Sequence, residues 1–156
     1  MIAHTEQEIE ILREGGKRLA TVLRALAAEA LPGVTTETLN TRAQQLIEAG
    51  GDTPAFLNYT PRGAARPYPA ALCVSVNNEV VHGVPNEKPR TLRAGDIVAL
   101  DLGLAHRGLI VDAAITIPVG SVDAAARRLI NVTRDALSAG IKKAKVGNTI
   151  GDISAA

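Results

Sequence analysis

"IVALDLGLAHRGLIVDAAITIPV", Ile97–Val119, decides the fold. Apolar residues crowd two runs, Ile97–Leu104 and Leu109–Val119, rich in the aliphatic and β-branched types that favour strands. Ala105-His106-Arg107-Gly108 is short enough to join them as a hairpin. With His106 and Arg107 as a two-residue turn, Ala105 faces Gly108 and Asp101 falls directly opposite Asp112. Their Cβ atoms would then lie about 4.5–5.5 Å apart on one face. Facing carboxylates repel, and burial adds a desolvation penalty of several kcal/mol for each unpaired ion. Three remedies exist: one acid keeps its proton, a cationic side chain pairs with both, or a divalent cation sits between them. Neither strand carries a Lys or Arg, so a cationic partner would have to reach in from elsewhere. Carboxylate oxygens suit Mg, Mn, Co or Fe, and also Zn. A shared cation, a proton-sharing pair and solvated strand ends all remain open on this pattern.

The rest of the composition narrows the class. A chain of 156 residues suits one domain with a real core. Seventeen basic and sixteen acidic side chains leave a net charge of +1, with no basic stripe for nucleic acid. One cysteine excludes an internal disulfide and suits a reducing compartment. The opening "MIAHTEQEIEILREGG" has no apolar signal core. No apolar run approaches the roughly 18 residues that span a bilayer. The expectation is a cytoplasmic protein with neither nucleic acid nor membrane as partner.

Helices flank the strands. Thr5 and Glu8 read as a capping box, and Ile9, Leu12, Leu19, Val22, Leu23 and Leu26 recur at helical spacing. Pro32-Gly33 ends that helix. A second starts near Thr35 or Thr36, presents Leu39, Ala43, Leu46 and Ile47, and stops at Gly50-Gly51. A Pro- and Gly-rich loop follows. "AALCVSV" and "EVVHGV" then read as two strands hinged at Asn77-Asn78. A third helix is expected from about Asp123 to Lys143, with Leu129, Val132, Ala136, Leu137 and Ile141 on its apolar side. Asn148 or Thr149 would cap a final helix of about seven residues, too short to stand alone. Segregated helices and hairpin-linked antiparallel strands argue for α+β.

Four other features bear on chemistry. His82, inside "EVVHGVP", is either a satisfied structural histidine or a donor or ligand beside the acids. Cys73 reads as a small core residue. Phe56, Tyr59 and Tyr68 are the only aromatic residues and lie in one segment, either by chance or as a pocket wall. His4, near the terminus, and His106, in the expected turn, are read as solvated.

"PAFLNYT", "CVSVNNEVVHGVP" and "GDIVALDLGLAHRGLIVDAAITIPVG" together closely resemble the N-terminal half of type I methionine aminopeptidase. The resemblance covers nearly the whole chain. It implies half of a pita-bread fold over residues 1–156: an antiparallel sheet with helices on one face, its C-terminal partner half absent. It implies removal of N-terminal methionine from peptides and nascent proteins by one or two divalent ions, with Co, Mn, Fe and Zn as candidates. By position, Asp101 resembles the aspartate that chelates one ion and Asp112 the one that bridges both. Their spacing of eleven matches the family pattern. His82 resembles the histidine that steadies the substrate during catalysis. Phe56, Tyr59, Tyr68 and Cys73 fall where the family lines its methionine pocket, although "TPRGAARP" adds residues between the two tyrosines. The family's remaining ligands, a histidine and two glutamates, come from the other half. A homodimer that rebuilds the cleft, or a complementary C-terminal half, is the expected partner. A non-catalytic peptide- or partner-binding half is the alternative. A proline-specific relative fits the strings around His82 less well.

Overall fold

The computed structural model describes residue 3 and residues 5–156, so His4 lies outside the described residues. The chain divides into two compact units, Met1–Ser121 and Val122–Ala156. In the first, α1 (Glu6–Glu29) and α2 (Thr36–Ala49) precede β1 (Thr53–Pro54), β2 (Cys73–Val76), β3 (Ile97–His106) and β4 (Leu109–Pro118). Thr5 caps α1 through the expected reciprocal box with Glu8, and Thr35 caps α2 by accepting from the Thr38 amide. Gly50 ends α2, and Gly51 turns the chain at φ 77°.

All the strand pairings are antiparallel. β4 runs along the whole of one edge of β3, while β1 and β2 share the other edge. Alternation sorts the side chains of β3. Val98, Leu100, Leu102 and Leu104 are fully buried with Val74 and Val76 of β2. They join Leu19, Leu23 and Leu26 of α1 and Leu39, Ala43 and Ile47 of α2 in one aliphatic core. α1 packs on β3 and β4, and α2 on β1 and β2. The helices therefore cover one face of the sheet, as the sequence suggests.

The turn differs from expectation. Arg107 and Gly108 are its central residues, at φ 49° and 84°, and His106 pairs with Leu109. A type I′ turn needs positive φ at both centres, which glycine adopts without strain. Asp101 consequently faces Ala114, and Asp112 faces Gly103, rather than each other. The turn has moved by one residue and the pairing by two, so both aspartates keep the same face. His106 is also not solvated: it is buried, and its Nδ1 lies 2.7 Å from Asp52 Oδ1.

Residues 79–84 form no strand. Val81 and His82 sit at φ 50° and 54°, in the left-handed region that breaks a ladder. The Val76 amide donates to the Glu79 carboxylate at 2.7 Å, which closes the chain back on itself. Gly83 then approaches β2 so closely that a Cβ there would meet the Val74 carbonyl oxygen at 2.1 Å. The Val74 amide donates to Gly83 O at 3.0 Å, and Gly83 N donates to Ser75 Oγ at 3.2 Å.

The second unit holds α3 (Ala124–Lys143), capped by Asp123, and α4 (Ile150–Ser154), opened by a Thr149–Asp152 box. Leu129, Val132, Leu137 and Ile141 of α3 are exposed.

Candidate metal centre

The face of the sheet turned away from α1 and α2 carries Cys73 and Ser75 from β2, Asp101 and Gly103 from β3, and Asp112 from β4. Cys73 is the direct cross-strand neighbour of Asp101. Asp112 is its diagonal neighbour on the opposite side, a spacing of about 7–8 Å between backbones that longer side chains can close. The two carboxyl groups do meet: Asp101 is pushed up to about 6, first by burial, then by the charge of Asp112 and a hydrogen bond with it. An electrostatic influence of His82 opposes that rise, which places this exposed residue within reach of the pair.

Aromatic residues lie beside this face. Phe56 and Tyr68 meet edge to face, with ring centroids 6.4 Å apart. Gly103 makes room for them, since a Cβ there would meet the Phe56 ring at 3.0 Å. The Tyr59 and Tyr68 segments are tied by Tyr68 N donating to Tyr59 O at 2.8 Å, though the Tyr59 side chain is exposed. The Tyr68 hydroxyl donates toward Gly83 O at 3.2 Å, joining the wall to the His82 loop. Burial, then the contact with Cys73, holds Tyr68 well above the usual phenol range. Burial also raises the Cys73 thiol, and the charges of Asp101 and Asp112 add to this against the opposing hydrogen bond from Tyr68. A thiol so held is a poor nucleophile near neutral pH. The nearby chemistry therefore belongs to the carboxylates.

Two carboxylates on one face, one carrying a proton affinity raised first by burial and then by the other, are a donor set that suits a divalent cation. The set is partial. Among the described residues no group of three or more His, Cys, Asp or Glu side chains is placed to hold an ion. Gly103 and Gly83, which shape the site by lacking a side chain, escaped sequence reasoning; nothing local distinguishes them from turn glycines. The His106–Asp52 contact escaped it too, because 54 residues separate the partners.

The model of metallopeptidase family M24 matches residues 10–156. A methionine aminopeptidase of Aquifex aeolicus is 40% identical over 153 residues, covering 98% of this chain and 59% of that protein. The crystal structure of methionine aminopeptidase from Thermotoga maritima has a TM-score of 0.89 at 38% identity, over 99% of this chain and 59% of that one. Prolidase from Pyrococcus furiosus, at 21% identity and a TM-score of 0.80 over 97% of this chain and 41% of that one, shares the fold. The chain thus spans 59% of the length of each of these two methionine aminopeptidases. With its antiparallel sheet, its pair of aspartates on one face and a family match over nearly its full length, this chain belongs to metallopeptidase family M24.

Proposed function

We propose that the chain forms one wall of a divalent-metal aminopeptidase site that removes N-terminal methionine from peptides. The observation that carries this reading is the diagonal placement of Asp101 and Asp112 on the face of the sheet opposite α1 and α2. Asp101 and Asp112 would hold the metal, one or two ions of Co, Mn, Fe or Zn. A bound divalent ion would supply Lewis-acid polarisation of the scissile carbonyl and lower the pKa of a water beside it. Phe56, Tyr68 and Cys73 offer an apolar wall for an unbranched thioether side chain, with Tyr59 at its exposed rim. His82 stands on a strained loop beside the acids, where it would orient the substrate peptide.

Two carboxylates leave a divalent ion short of ligands. A second copy of this chain, related by a twofold axis, would bring two more carboxylates and a second His82 to the same cleft. A complementary C-terminal half would serve equally. A cytoplasmic setting agrees with the single thiol and with peptide substrates; among the described residues no helix is long and apolar enough to cross a membrane. The test is direct. The chain is incubated with Met-Ala peptides and Mn2+ or Co2+, with and without chelator, while sedimentation reports its mass. Metal-dependent release of methionine by a dimer is expected. A dimer or monomer that binds metal without releasing methionine would favour the second reading, a peptide-binding half without turnover, which the incomplete donor set among the described residues supports.

A further inference from the structure

Two registers of the β3–β4 hairpin keep Asp101 and Asp112 on one face. A turn at His106-Arg107 puts the acids directly opposite each other, whereas the observed turn at Arg107-Gly108 puts them on a diagonal. The registers differ by two residues, so the apolar alternation is satisfied by both. The turn leans toward the observed register, which puts Gly108 at one of the two positive-φ centres, but only one centre is suited. Type I′ turns favour Asn or Asp before the glycine, and here Arg107 occupies that position at φ 49°.

A second constraint lies outside the hairpin. In the observed register His106 is the last residue of β3, with its side chain on the core face. His106 Nδ1 and Asp52 Oδ1 lie 2.7 Å apart, and a ring N–H there would donate to the carboxyl oxygen. Both side chains are more than nine-tenths buried. Arg18 of α1 stands 3.6 Å from the other Asp52 oxygen and donates to Gly50 O at 2.8 Å, which braces the acid from behind. Thr53, next to Asp52, pairs with Ala105. Gly15 brings α1 onto the same spot: a Cβ there would meet His106 Cβ at 3.2 Å and Val111 Cγ2 at 3.4 Å. In the alternative register His106 would be a turn residue, and this buried contact would be lost.

The geometry points to His106 as a positioning residue: its buried bond to Asp52 selects the hairpin register that sets the diagonal spacing of Asp101 and Asp112. The inference rests on the metal-binding reading of that pair. Its test is His106→Phe, which fills the site without a donor, beside His106→Asn, which keeps a donor near the place of Nδ1. Cross-strand NMR contacts report register, and Mn2+ titration reports affinity. Wild type and His106→Asn should show Asp101 against Ala114. His106→Phe should show Asp101 against Asp112, with Mn2+ affinity reduced at least ~10-fold. A folded His106→Phe protein that keeps either the wild-type register or the wild-type affinity overturns the inference. Should that variant not fold, Asp52→Ala is read in the same way, and loss of fold in both assigns the pair to stability alone and overturns it. A wild type that binds no Mn2+ sinks the metal reading by itself, and the NMR register then decides the inference.

Discussion

Replacing Asp101 by Asn should raise stability without metal and abolish the stabilisation that metal provides. Asp101 is raised from 3.8 to about 6, by burial first and by Asp112 second. That difference corresponds to roughly 3 kcal/mol of unfavourable interaction in the ionised native state at neutral pH. The side chain is only partly buried, so solvent screening reduces this to about 1–2 kcal/mol. The sign follows from linkage. The native carboxyl binds its proton more tightly than the unfolded one, so its contribution is fully present below pH 3.8 and is lost as pH rises through about 6. Asn carries no charge at any pH. Urea midpoints of wild type and Asp101→Asn should therefore nearly coincide at pH 4. They should separate by pH 7.5, with the variant higher by about 0.5–1 M for a slope of roughly 2 kcal/mol/M. Mn2+ should reverse the order. At a concentration about 100 times its Kd, it stabilises wild type by ~2.7 kcal/mol and the variant hardly at all. A variant less stable than wild type at pH 7.5 without metal, or one that responds equally to Mn2+, would refute the reasoning.

Other substitutions probe the framework. Gly83→Ala places a methyl group against the Val74 carbonyl, so it should cost more than about 2 kcal/mol in urea and displace the His82 loop. Val81 is exposed and left-handed at φ 50°; Val81→Asn should stabilise by about 0.5–1 kcal/mol in the same assay, and a loss would mean that its side chain is needed. Leu100→Ala empties a fully buried core site and should cost about 2–5 kcal/mol, whereas Ile110→Ser on the exposed face should change the melting temperature little. Thr35→Ala removes the cap of α2 and should cost about 1 kcal/mol, read by thermal denaturation.

Much of this was legible in order of physical range. Capping chemistry acts within four residues, so the starts of α1, α2 and α3 and the Gly50 stop were readable from local spacing. "EVVHGV" was misread because β-branched composition favours a strand, while the Glu79 carboxylate and the approach of Gly83 to Val74 impose a folded loop. Propensity yielded to hydrogen bonds and a close approach within a ten-residue segment, which composition does not weigh.

By itself the sequence determined that Asp101 and Asp112 share a face, because side chains alternate with period two and both plausible turns preserve that parity. Which of the two lies opposite which neighbour was decided only in three dimensions. The turn slid to the glycine, and His106 turned inward to Asp52, a partner 54 residues away under α1. Periodicity is a property of the strand alone, whereas register needs a second surface to hold the strand against.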